Sequence, residues 1–129
     1  LLLNETAMTL PMPQAEVTDL NVQSYLLMKS AFTISDLVSP HKKVDFLEMD
    51  IQGGEYDALP SFIDILNKKV AWIHLGTHEI GGTHKDIRNL FLENGWKIHI
   101  DWFPNSKYIT PKGQFLTSDG VLAMQNLNL

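Results

Sequence analysis

The alternation of apolar and polar positions divides the chain into short runs of strand-like and helix-like period. Residues 4–16 carry Pro11 and Pro13 and show no steady period, which predicts a loose lead-in. Residues 17–28 are β-leaning, with Val17, Val22, Tyr25 and Leu27 spread among polar positions. Thr33 reads as a helix N-cap with Asp36 three residues on. Ile34, Leu37 and Val38 then form the i, i+3, i+4 face of a short helix that Pro40 stops. Residues 44–51 read as a mostly buried strand, broken by Gly53 and Gly54. A helical face follows in Leu59, Phe62, Ile63 and Leu66. Because Pro60 is tolerated only in a first turn, this helix starts either near Leu59, leaving Glu55 in the connecting turn, or at Glu55 with a kink.

Residues 70–75 are a second strand and 76–82 a loop. Thr83 with Asp86 caps the next helix, whose inner face is Ile87, Leu90 and Phe91 and whose stop is Asn94-Gly95. From Trp96 to Trp102 the pattern alternates strictly. It places Trp96, Ile98, Ile100 and Trp102 on one face and Lys97, His99 and Asp101 on the other. Pro104-Asn105-Ser106 and Pro111-Lys112-Gly113 are turns, and residues 121–125 form the last strand. Strand, helix, strand, helix, strand predicts an α/β fold with a parallel sheet and covering helices. The irregular chain before the last strand predicts an antiparallel edge pairing instead of another crossover. The division expected is a lead-in over residues 1–31 and a folded unit over 32–129.

Composition narrows the classes. At 129 residues, 44% hydrophobic and 19% charged, the chain has enough apolar material for one core. A net charge of -5 argues against nucleic-acid or anionic-membrane partners, which need a concentrated basic surface. No run approaches the roughly 20 apolar residues of a membrane span. The absence of cysteine removes disulfides and thiolate metal sites, and it suits a reducing, cytoplasmic setting.

The chemistry concentrates in one stretch, DFLEMDIQGGEYDAL. In an open α/β sheet, ligands bind beyond the carboxyl ends of strands, where Asp50 falls. Gly53 and Gly54 allow a tight turn and close approach, and Glu55 sits at a helix start that favours an acid. Asp50 and Glu55 thus either flank one small pocket or serve only as a backbone acceptor and an N-terminal helix acid.

This stretch resembles the core signature of the FkbM-type methyltransferases, which use S-adenosylmethionine. The family pattern is an apolar strand, then Asp-x-Glu/Gln-Gly-x-Glu, then a Leu. It is matched by Asp50, Gln52, Gly53, Glu55 and Leu59. FTISDLV upstream, and VAWIHLGTHE, LFLENGWKI and SDGVLAMQN downstream, are similar to the family's flanking segments in the same order, over about residues 32–125. Two positions depart from it: Glu48 stands where the family usually has Lys, and Gly76 where it tends to have Glu, two residues before His78.

The resemblance implies a partial Rossmann-like class I methyltransferase sheet, with parallel strands, an antiparallel last strand and helices on both faces. It implies S-adenosylmethionine contacts at Asp50, Gln52 and Gly53, with Asp50, Glu55 and His78 as candidate catalytic residues. The reaction implied is O-methyl transfer to a sugar or small-molecule hydroxyl. No glycine precedes Gly53, so the family's glycine-rich cofactor turn has no counterpart upstream in these residues. The expectation is the second half of such a domain, with an incomplete cofactor site and a tendency to dimerise or to dock on the missing N-terminal half. A non-catalytic α/β interaction module on the same scaffold is the competing expectation.

His74, His78, Glu79 and His84 raise a metal reading. On a strand, His74 and His78 lie about 13 Å apart, too far for one ion unless the chain folds back. His78 and His84 flank Gly81-Gly82 and could converge, but no family-grade ligand spacing is present and no metal is assigned. His74 is expected to be a satisfied core histidine and His99 solvated. Trp96 and Trp102 are expected in the core. Asp86, Arg88, Glu93 and Lys97 are expected to be surface charges.

Overall fold

The computed structural model describes residues 2–4 and 32–129, so the β-leaning reading of residues 17–28 lies outside the described residues. The elements run in the order β1 (Leu2–Asn4), α1 (Ile34–Val38), β2 (Val44–Asp50), α2 (Glu55–Lys69), β3 (Val70–Thr77), α3 (His84–Glu93), β4 (Trp96–Trp102), β5 (Lys107–Thr110), β6 (Gly113–Leu116) and β7 (Gly120–Asn126). One five-stranded sheet has the order β1-β2-β3-β7-β4, and β5 and β6 form a separate two-stranded hairpin. The β1-β2 and β2-β3 pairs are parallel, whereas β7 runs antiparallel to both its neighbours. This is an α/β fold with parallel strands and an antiparallel last strand.

Local signals set most element ends. Thr33 and Thr83 each make a full capping box, with Asp36 and Asp86 returning the bond to the cap backbone. Gly95, at φ 79, takes the left-handed position just beyond α3. Of the two starts open to α2, the structure takes Glu55, and the helix runs through Pro60. The strand expected to end at Leu75 continues to Thr77, because Gly76 and Thr77 pair with Val121 and Gly120.

Alternation along the strands sorts the sheet into two faces. Leu47, Met49, Ile73, Leu75, Leu122 and Met124 are fully buried in one cluster with Ile34 and Val38 of α1, Leu59 and Leu66 of α2, and Ile87 and Phe91 of α3. Fully burying each such side chain contributes about 1.5–3 kcal/mol. All three described helices thus feed one face, where helices on both faces were expected. The opposite face carries Phe46, Glu48, Asp50, Trp72, His74, Gly76, Val121 and Ala123, which are half-buried or exposed.

Two expectations change at the last strands. The antiparallel strand β7 is inserted between β3 and β4 instead of lying at the edge, so β4 is the edge. The intervening chain returns through the β5–β6 hairpin, whose strands are too short and too exposed to show a period. The second change concerns the faces of β4. Ile98 pairs with Met124 but Ile100 pairs with Ala123, so one extra residue, His99, is accommodated by a bulge. A one-residue slip exchanges the faces. Trp96 and Ile98 therefore face the helices, Ile100 and Trp102 face away, and Asp101 turns inward opposite Leu122.

Candidate functional site

The carboxyl end of β2 delivers Asp50 into a turn whose backbone is left-handed at two successive residues, Gln52 at φ 54 and Gly53 at φ 96. Gly53 is required here on two grounds. Its φ suits only glycine, and a Cβ would lie 2.8 Å from the Ile80 Cβ. The turn folds back so that the Glu55 carboxylate accepts the backbone N–H of Ile51 at 3.2 Å and of Gly53 at 2.8 Å. Glu55 is fully buried at the start of α2 and is satisfied by these donors.

The same carboxylate meets His78, just past the end of β3, with Glu55 Oε1 and His78 Nδ1 3.2 Å apart. His78 Nε2 lies 3.3 Å from Asp50 Oδ1 and 3.1 Å from Gln52 Nε2. Gln52 Nε2 also donates to Asp50 Oδ1 at 3.2 Å. One proton arrangement satisfies the cluster. His78 donates Nδ1–H to Glu55, and the Gln52 amide divides its two hydrogens between Asp50 and the Nε2 lone pair. Glu55 and His78 are buried, while the Asp50 side chain is 53% exposed, so the cluster opens to solvent on the Asp50 side.

Asp50, Gln52, Gly53, Glu55 and His78 are thus brought together at one end of the sheet. Asp50, Glu55 and His78 each offer a ligand atom within 4.8 Å of the others. The two carboxylates, however, approach opposite nitrogens of the ring, so one ion could not hold a ring nitrogen and both acids unless the ring turned. The three histidines of the metal reading separate, while Glu79 Oε1 accepts the backbone N–H of His84 at 3.3 Å. His74 is half-exposed on the open face with Nδ1 3.6 Å from Glu48, not in the core, because its strand position shares the face of Glu48. His84 turns away from His78 into a second cluster.

That second cluster was not legible from spacing. The fully buried His84 shares a 2.7 Å hydrogen bond with Thr77 Oγ1 through Nδ1, and its Nε2 lies 2.9 Å from Asp101 Oδ1. Arg88 donates from Nε to Asp101 Oδ2 at 2.6 Å, so it is an ion-pair partner and not a free surface charge. Burial pushes the Asp101 carboxyl up, but hydrogen bonds from Arg88 and His84 outweigh it and hold the group below the usual carboxylate range. Space for the Thr77–His84 contact exists because residue 120 is glycine; a Cβ there would overlap both side chains. The bulge at His99 is what turns Asp101 inward. Nearby, burial pushes the Tyr56 hydroxyl up to about 12, helped by the charges of Glu55, Glu79 and Asp86. Among the described residues that hydroxyl has no hydrogen-bond partner.

The fold and site define an α/β protein with a His–carboxylate cluster beyond the carboxyl ends of two adjacent parallel strands. Residues 27–98 match the methyltransferase FkbM domain, and the chain belongs to that family. A protein of Jannaschia sp. (strain CCS1) bearing the name "Putative methyltransferase" is 31% identical over 97 residues, covering 74% of this chain and 33% of that protein. The chain therefore spans about a third of the length of the curated relative it matches. Among solved structures, a crystal structure of Thermoplasma acidophilum 1320 aligns with a TM-score of 0.41 and 14% identity, over 70% of this chain and 47% of that one. That likeness is too distant to carry an argument. Among the described residues, no helix is long and apolar enough to cross a membrane.

Proposed function

We propose that this chain carries the base-bearing part of an S-adenosylmethionine-dependent O-methyltransferase site, acting on a hydroxyl of a sugar or other small molecule. The observation that carries the reading is the Glu55–His78–Asp50 arrangement. A buried carboxylate holds Nδ1–H, and Nε2, beside the exposed Asp50 carboxylate, accepts from the Gln52 amide. A base within hydrogen-bond reach of a substrate hydroxyl is what O-methylation requires of the protein.

The residues present fit part of the cofactor. Gly53 keeps the turn free of a side chain, and the exposed Asp50 carboxylate suits a cationic group. Asp50, Gln52 and Gly53 would hold its methionyl end. When bound, the cofactor supplies a methyl group that is already electrophilic. His78 Nε2 would take the hydroxyl proton, the Gln52 amide giving up its bond to that nitrogen and keeping the one to Asp50. Glu55, already hydrogen-bonded to Nδ1, would stabilise the imidazolium so formed and keep the ring from turning. Orientation and proton removal are the two contributions asked of the chain.

Label transfer from methyl-tritiated S-adenosylmethionine to a panel of small hydroxyl compounds tests this. Transfer that falls at least about a hundredfold in His78→Ala supports the reading, since positioned acid–base groups contribute about 10²–10⁴-fold. Transfer that persists unchanged in His78→Ala contradicts it.

A further inference from the structure

The loop that carries the candidate base is tied across its base. Residues 78–83 join β3 to α3; His78 is its first residue, and Thr77 and His84 flank it. The Thr77 hydroxyl and His84 Nδ1 meet at 2.7 Å and close the loop. Within it, Ile80 N–H donates to the His78 carbonyl at 2.6 Å, and Glu79 Oε1 accepts the His84 N–H at 3.3 Å. Ile80 lies against Gly53, so the loop also touches the turn that holds Asp50 and Glu55. The protons of the second cluster can be placed. The Asp101 carboxylate accepts at both oxygens, from Arg88 Nε and from His84 Nε2. A neutral His84 is then the Nε2–H tautomer, and Thr77 Oγ1 donates to Nδ1. The two histidines at the ends of this loop thus hold opposite tautomers, Nδ1–H at His78 and Nε2–H at His84. Phe103 packs on the His84 ring at a centroid distance of 4.5 Å. The start of α3 is separately secured by the Thr83–Asp86 capping box. The buried cluster acts one step further in: it sets the distance between the end of β3 and the start of α3, and with it the point where His78 leaves the strand.

We propose that His84 is a positioning residue for His78: by holding the Thr77 hydroxyl it fixes the exit of the chain from β3, and so keeps the His78 ring in reach of Glu55. The inference rests on the reading of His78 as the base. The tolerance is small. His78 Nδ1 stands 3.2 Å from Glu55 Oε1, and Nε2 stands 3.1 Å from Gln52 Nε2. Both separations are already at the long end of the usual range of about 2.7–3.2 Å, so a shift of about 0.5 Å at the loop base breaks the bond that selects the tautomer. Asp101 and Arg88 act behind His84. They hold Nε2–H and thereby turn the Nδ1 lone pair to Thr77.

The test reads the histidine ring nitrogens of the isotope-labelled chain by NMR at neutral pH, where each tautomer has its own pair of shifts. The unaltered chain should show His78 as Nδ1–H and His84 as Nε2–H. Thr77→Val keeps the shape and removes the hydroxyl. His84→Phe reaches the same contact from the other side and leaves Asp101 paired with Arg88. Each should lower the ratio of Nδ1–H to Nε2–H at His78 about tenfold, the size expected for one lost hydrogen bond. Thr77→Ser should restore it. Thr83→Ala weakens the cap of α3 without touching the cluster, and should leave His78 as it is. Amide shifts outside residues 76–86 are the check on folding, and either of the two main variants, if folded, decides. An unchanged His78 tautomer in Thr77→Val or His84→Phe, or an equal change in Thr83→Ala, would overturn the proposal and leave the cluster only a tie between α3 and the sheet. The readout does not depend on methyl transfer, so the two readings fail separately. Coupling seen beside unchanged transfer in His78→Ala would remove the base reading alone. Transfer lost in His78→Ala without coupling would remove the positioning role alone.

Discussion

Replacing Glu55 with glutamine tests how the turn after β2 is held. The carboxylate is fully buried and meets three groups: the N–H of Ile51 and of Gly53, and His78 Nδ1. Glutamine keeps the shape but has one acceptor oxygen in place of two. Its amide nitrogen must face either Gly53 N–H or the pair formed by Ile51 N–H and His78, donor against donor. A hydrogen bond to a charged group contributes about 1.5–3 kcal/mol, and a buried donor left unsatisfied costs about 1–3 kcal/mol. Because the turn can relax toward solvent on the Asp50 side, the expected loss is about 2–3 kcal/mol. Urea unfolding of both proteins at pH 7 measures it, with an unchanged m-value confirming that the denatured state is not the cause. A loss below about 0.5 kcal/mol would refute the view that Glu55 organises the turn.

Other substitutions probe the parts separately. Asp101 has a depressed carboxyl in the folded chain, so its contribution is present above the unfolded value near 3.9 and lost as pH falls through the folded value. Asp101→Asn should therefore flatten the acid limb of stability against pH below about 4; coincident limbs would contradict this. Thr83→Ala removes the side-chain acceptor of the α3 capping box and should cost about 1 kcal/mol, while Thr83→Ser should be nearly neutral. Equal denaturation midpoints for the two would show that the cap is idle. Gly53→Ala and Gly81→Ala both place a side chain at positive φ, but among the described residues only the first meets a neighbour, Ile80. Gly81→Ala should cost about 1 kcal/mol and Gly53→Ala clearly more; equal losses in thermal unfolding would argue against the Gly53–Ile80 contact.

The sequence carried those parts of the fold whose cause is local. The Thr33 and Thr83 caps and the inner faces of α1 and α3 each rest on residues within a few positions of one another, and all are present, whereas β2, expected to be mostly buried, is exposed at Asp45, Phe46 and Asp50. The DIQGGE motif placed Asp50, Gln52, Gly53 and Glu55 at a tight strand-to-helix junction, and the structure puts His78 against them. Features that depend on pairing between distant strands were not legible. The bulge at His99 has no mark in a sequence that alternates through it, yet it reverses Ile100, Asp101 and Trp102. The insertion of β7 between β3 and β4, and the Thr77–His84–Asp101–Arg88 cluster that depends on it, follow from register across residues far apart in the chain. Arg88 looked like a surface charge because nothing local to it indicates Asp101. A histidine on a strand between apolar neighbours suggested a core position for His74, but the face it occupies is the one the described helices leave open.

The central claim is that the turn from Asp50 to Glu55, with His78, faces the methyl donor. Its most direct test is the binding of S-adenosylhomocysteine to this chain by calorimetry, beside Asp50→Ala and, as a distant acidic control, Asp119→Ala. The account predicts saturable heat for the chain and for Asp119→Ala, and its loss in Asp50→Ala. Absence of heat in all three, or equal binding by Asp50→Ala, would contradict it.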